Sequence, residues 1–177
     1  MATVHPTPIV GVAIAATLVL GYALDSADGQ LARLSGGGSV LGEWVDHTFD
    51  VMKIAGFHLA LVVAAVTQPT PFGSVPAWMA GTFEFVAVTV FFVLILTDQL
   101  RRQQQRATKK STPAGGPILW LTLPVDWGFQ CLWMCTFGFP KVFWAGYAVL
   151  LGANGLYLAA SVVLKARELA SLDGAPS

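Results

Sequence analysis

Asp25-Ser26-Ala27-Asp28-Gly29-Gln30-Leu31-Ala32-Arg33, followed after eight residues by Gly42-Glu43-Trp44-Val45-Asp46-His47-Thr48-Phe49-Asp50, forms a polar island between apolar runs at residues 9–24 and 51–66. Asp25 and Asp28 are three apart and Asp46 and Asp50 four apart, so on helices each pair projects from one face. The intervening Gly36-Gly37-Gly38 marks a short connection, which makes the two helices antiparallel neighbours and lets the acidic pairs converge. An ionised side chain at the bilayer centre costs roughly 2.5 to 3.5 kcal/mol, so four uncompensated carboxylates would cost on the order of 10 kcal/mol. They are therefore expected near the interface, or neutralised by cations, or both.

The rest of the chain extends the same pattern. Further predominantly apolar runs fall at residues 75–97, 117–137 and 142–164, with Glu84 and Asp126 as the only acids among them, and the run at 51–66 has a polar lead-in from Glu43. Of the 177 residues, 55% are hydrophobic and 11% charged, with a mean hydropathy of +0.64. A hydrocarbon core of roughly 30 Å needs about 20 apolar residues per crossing. The expectation is an all-α polytopic membrane bundle of about five transmembrane helices, with residues 1–177 forming one integral membrane domain. At 1.5 Å per residue the first run reaches only about 24 Å, so it must draw on Pro6 to Pro8 or on the acidic segment to complete its crossing. With no basic residue ahead of it and no small-residue cleavage site behind it, it reads as a span and not as a signal peptide. The charges cancel at 10 basic and 10 acidic residues, which removes any case for nucleic-acid binding driven by bulk charge. Cys131 and Cys135, four apart in an apolar run, are expected to share a helix face as packing residues.

Orientation follows from lysine and arginine. With the loop after the first span on the cytoplasmic side, Arg33, Arg101, Arg102, Arg106, Lys109, Lys110, Lys165 and Arg167 all fall on that side, leaving Lys141 in a short outer turn. The acidic island is then cytoplasmic. Trp44, Trp78, Trp120 and Trp144 lie near span ends and read as interface anchors.

Oxygen-only carboxylate ligands suit hard divalent ions such as magnesium, manganese or calcium, and four are enough for two ions side by side. Such a pair beside a membrane serves phosphoryl chemistry by neutralising phosphate oxygens. Gly29 and Gly42 lack side chains and permit close approach of a nucleotide or phosphate to the backbone. Arg33 supplies a bidentate fork for phosphate oxygens. Two other classes compete: a cation-binding carrier, which would distribute acids along several spans, and a non-catalytic membrane protein of the same fold.

These residues fit D-x2-D-G-x2-A-R-x8-G-x3-D-x3-D at every fixed position, and the chain resembles the CDP-alcohol phosphatidyltransferases from Asp25 to Asp50. The resemblance implies that Asp25, Asp28 and Asp46 hold two magnesium or manganese ions. It implies that Asp50 both touches a metal and is the general base on the incoming hydroxyl, with Gly29, Ala32, Arg33 and Gly42 binding the cytidine diphosphate. It implies a bacterial plasma-membrane enzyme of phospholipid biosynthesis with its site at the cytoplasmic face. A phosphatidyl group would pass from CDP-diacylglycerol, or another CDP-alcohol, to a small alcohol with release of CMP. A homodimer is implied as well. Family members usually have six spans, so the helix ahead of the first aspartate-bearing span is expected to be missing here.

Lys53, three residues after Asp50, lies on the acidic face, where it either binds an acceptor phosphate or balances the carboxylates. A phosphorylated polyol, glycerol phosphate or inositol phosphate, is the favoured acceptor on that account, with Arg101, Arg102 and Arg106 within the same membrane side. His47, about 100° off the acidic face, and His58, deeper among apolar residues, read as packing or helix-contact residues. Glu84 and Asp126 fall inside spans and read as helix contacts or cavity groups.

Overall fold

The computed structural model describes residues 5–34, 39–108 and 125–173, apart from the side chains of residues 32–33, 105–108 and 172–173. Among them run α1 (Pro8–Leu34), α2 (Val40–Thr67), α3 (Val75–Thr108), α4 (Trp127–Trp133), a 3₁₀ turn (Met134–Gly138) and α5 (Pro140–Asp173). The four long helices are each long and apolar enough to cross a membrane. The expected span at 117–137 is described only from Val125 on, as α4 and the 3₁₀ turn; residues 117–124 lie outside the described part. The first span gains its length as anticipated. It opens at Pro8, where a missing N–H is harmless, and runs through the acidic segment to Leu34.

Each helix buries one narrow stripe and turns the rest of its apolar surface outward, as a membrane helix can. On α2 the stripe is Phe57, Leu61 and Ala64, and continued towards the helix start by the same spacing it becomes Lys53, Asp50 and Asp46. On α1 it is Gly11 and Ala15, then Leu18, Tyr22 and Asp25. One face of each helix is thus packing surface in its apolar part and acidic at its other end.

Packing joins the helices in an open ring: α1 lies on α4 and the 3₁₀ turn, the turn on α5, α5 on α3, and α3 on α2. In lipid there is little hydrophobic drive between helices, and close van der Waals fit does the work. The α1 contact shows this. A Cβ on Gly11 would stand 2.9 Å from the Met134 carbonyl oxygen, and one on Gly138 would overlap the Pro8 backbone. The α2, α3 and α5 contact is aromatic. Phe83, Phe143 and Tyr147 are almost fully buried, and His58 Nδ1 lies 2.6 Å from Tyr147 Oη. Trp144 departs from expectation: it belongs to this cluster, 5.0 Å from Phe143 between ring centroids, and is not an interface anchor. Trp44 and Trp78 are exposed as anchors should be. Trp120 lies outside the described residues.

The end of the bundle that carries the aspartates is fastened by ion pairs. Arg102 contacts Glu43 of α2 at 2.9 Å and Asp98 at 2.7 Å, while Arg101 contacts Asp98 at 2.8 Å and Glu168 of α5 at 3.9 Å. The carboxyl-terminal parts of α3 and α5 therefore meet on one side.

Candidate active site

The site is built where the acidic ends of the α1 and α2 stripes face each other. Lys53 Nζ lies 3.1 Å from Asp25 Oδ2 and 2.6 Å from Asp50 Oδ1, so one ammonium joins carboxylates from two helices. Asp46, one turn before Asp50, completes the α2 side. Ligand atoms of Asp46, His47 and Asp50 all lie within 4.8 Å of one another.

His47 makes the expected helix contact, its ring 6.3 Å from that of Phe91 on α3 between centroids, and also reaches the acidic group. The helical offset turns its Cβ aside, but its long side chain swings back to the acidic edge. Its Nε2 is 3.8 Å from Glu43 and its Nδ1 3.9 Å from Asp46. The imidazole therefore stands beside the carboxylates as well as against α3. His58 does behave as a packing residue, fully buried against Phe83 at 4.4 Å between ring centroids.

Asp28 is exposed one turn beyond Asp25, with Gly29 beside it; a Cβ on Gly29 would meet nothing within 4 Å. Gly42 sits at the start of α2, where Ser39 caps the helix by accepting from the Gly42 N–H at 2.9 Å. A Cβ there would meet only Ser39 Oγ, at 3.2 Å. Both glycines thus leave backbone accessible. The side chains of Ala32 and Arg33 lie outside the described residues, as does that of Arg106. Arg101 and Arg102 are engaged in the ion pairs that tie α3 to α2 and α5. Lys53 likewise has carboxylate partners, Asp25 and Asp50.

Beneath this group lies a cavity of about 270 Å³. Tyr22, Asp25, Asp50 and Lys53 line it from α1 and α2, and Gln130 and Asn154 from α4 and α5, with apolar wall from Ala87, Val90 and Phe91 of α3. A second, larger and more open space of about 760 Å³ separates the apolar parts of α1 and α2; Tyr22, Lys53 and Trp127 line both. Tyr22, Gln130 and Asn154 escaped the reading of the sequence. Gln130 and Asn154 carried a usable signal, since a polar side chain inside an apolar membrane run is costly without a purpose.

Asp126 is corrected. It lies at the head of α4, exposed, and its carboxylate accepts the Phe129 N–H at 2.9 Å as a helix cap. Glu84 stays within α3, in electrostatic reach of Tyr147. Cys131 is buried and Cys135 exposed: the switch from α-helix to 3₁₀ geometry between them removes the shared face, and both are free thiols.

The donor set fits hard divalent cations. Asp25 and Asp50 are close enough to share one cationic centre, here the Lys53 ammonium, and the surrounding ligands are mostly carboxylate oxygen. No curated protein and no solved structure matches the chain at a significant level. A family model described as CDP-alcohol phosphatidyltransferase matches residues 9–166. That match takes in both acidic helices, the cavity wall and most of α5, and the chain belongs to the CDP-alcohol phosphatidyltransferase family, a family of membrane phosphotransferases.

Proposed function

We propose that the protein transfers a phosphatidyl group from CDP-diacylglycerol to a small polyol, phosphorylated as in glycerol phosphate or inositol phosphate, at the cytoplasmic face of a bacterial plasma membrane. The observation that carries this reading is the meeting of Asp25 and Asp50, from separate helices, on one cationic centre above a small cavity. The apolar space between α1 and α2 supports a lipid-linked donor, because it reaches the same Lys53 and offers acyl chains an apolar lining.

Asp25, Asp28, Asp46 and Asp50 would hold two magnesium or manganese ions, which when bound neutralise phosphate oxygens and stabilise charge on the departing CMP. Asp50 is the base. Its carboxylate, 27% exposed at the cavity rim, accepts the proton of the acceptor hydroxyl as that oxygen bonds to phosphorus. The bond from phosphorus to the anhydride oxygen breaks, and the electron pair leaves on CMP. Gly29 and Gly42 present bare backbone to the cytidine diphosphate, with Ala32 and Arg33 on the same segment. Lys53 holds the carboxylates together and is the cation nearest an acceptor phosphate entering the cavity. The family's homodimer is the proposed assembly.

The test is CMP release by purified protein in detergent, with CDP-diacylglycerol and either metal, against glycerol phosphate, inositol phosphate, inositol and serine. Release dependent on one phosphorylated polyol is the expected result. Release with serine alone would overturn the acceptor assignment, and no release with any acceptor would overturn the transferase reading with this donor.

A further inference from the structure

Gln130 is 6% exposed and lines the cavity below Asp50, yet its Oε1 has no hydrogen-bond partner among the described residues. A buried amide oxygen left unpaired is costly, and in a membrane segment more conspicuously so. An apolar residue would fill the same place at lower cost. Asn154, 1% exposed, lines the same cavity from α5, with its Nδ2 donating to the Leu150 carbonyl at 2.9 Å. The cavity is therefore lined by two kinds of polar group from different helices: charged side chains of α1 and α2, and amides of α4 and α5. Its 270 Å³ corresponds to roughly nine waters at about 30 Å³ each. A small alcohol fits that space, and a two-chain lipid does not.

We infer that Gln130 is a specificity residue for the acceptor: it hydrogen-bonds a hydroxyl that does not react, so the preferred acceptor carries a second hydroxyl beyond the one presented to Asp50. This rests on the proposed transferase reading and narrows it to polyols. The acceptor enters with its reacting oxygen towards Asp50 and its spectator hydroxyl against the Gln130 amide. An acceptor without that second hydroxyl leaves the amide unpaired, and loses the free energy of one buried hydrogen bond.

The experiment compares kcat/KM for glycerol phosphate and for hydroxypropyl phosphate, which lacks only the middle hydroxyl, in the wild type, Gln130→Met and Gln130→Glu. If inositol phosphate or inositol is the acceptor that turns over, it is paired with its analogue lacking one non-reacting hydroxyl. The wild type should favour the polyol roughly ten- to hundredfold, as one buried hydrogen bond allows. In Gln130→Met the ratio should fall towards one, while Gln130→Glu, which retains an acceptor oxygen, should keep most of it. A merely structural Gln130 would lower both substrates alike and leave the ratio intact in Gln130→Met, which would overturn the inference. Turnover only with an acceptor lacking a second hydroxyl would overturn it too while leaving the transferase reading standing. No CMP release from the wild type with any acceptor would overturn both.

Discussion

α1 and α2 each carry half of the acidic motif, but they are held in different ways. α2 is seated on α3 through its apolar part and clamped at its acidic end by the Glu43 to Arg102 ion pair. α1 rests on α4 and the 3₁₀ turn through a stripe of small residues. Of the most apolar window of α1 only 11% is buried, against 28% for α2, so α1 is the less supported wall. At the site the two are joined by Lys53, between Asp25 and Asp50. The site is thus a seam between two walls supported from different sides, and its carboxylates approach only as closely as those separate supports allow.

The largest effect should come from the chemistry at the seam. Asp50→Asn removes the proposed base while leaving the packed parts of both walls intact, and CMP release is expected to fall about 10²- to 10⁴-fold. Metal binding, followed by titration calorimetry, should be mostly retained. Normal turnover in that variant would remove the base assignment.

Gly138→Leu attacks the α1 wall alone, by driving a side chain into the Pro8 backbone. Overpacking of this kind costs about 1 to 3 kcal/mol. Hydrogen exchange in detergent should show α1 losing protection before α2 and α3. Simultaneous loss along all three would break the comparison, because the walls would then unfold as one unit.

Tyr147→Phe attacks the other support, by removing the hydroxyl that meets His58. Polar contacts between membrane helices are worth about 0.6 kcal/mol on average and about 1.7 at most. The melting temperature in detergent should fall accordingly while CMP release persists, since neither group lines the cavity. Loss of turnover without loss of stability would place this pair in the site.

Glu43→Gln weakens the clamp at the acidic end of α2 and should be the mildest change. Arg102 keeps Asp98 as a partner, and an exposed pair contributes about 0.2 to 1 kcal/mol. A much larger loss in thermal denaturation would mean that α2 depends on its charged end more than on its packed one.

Much of the molecule was legible because its main signals are local. Four runs of apolar residues appear as the four long helices, and the three- and four-residue spacing of the aspartates put each pair on one helix face. The place of Lys53 on the acidic face, beside Asp50, followed from its position three residues after it. Other assignments failed where a neighbour outside the local segment decides. Asp126 looked like an acid inside a span, because most of its neighbours in residues 117–137 are apolar; it caps α4. Trp144 looked like an interface anchor until the aromatic rings of Phe143 and Tyr147 closed around it. His47 was set aside by its helical angle, which fixes the direction of Cβ but not the reach of an imidazole.

Hydropathy and helical period are properties of consecutive residues, so the membrane-spanning architecture and the acidic pattern were written in the chain. Which walls those helices form is a matter of packing between segments far apart in sequence. Only the tertiary structure set α1 on the 3₁₀ turn, brought Asp25 and Asp50 to one ammonium, and turned Gln130 into the same cavity. Those outcomes depend on backbone approach distances and side-chain rotamers, and no spacing along one helix encodes them.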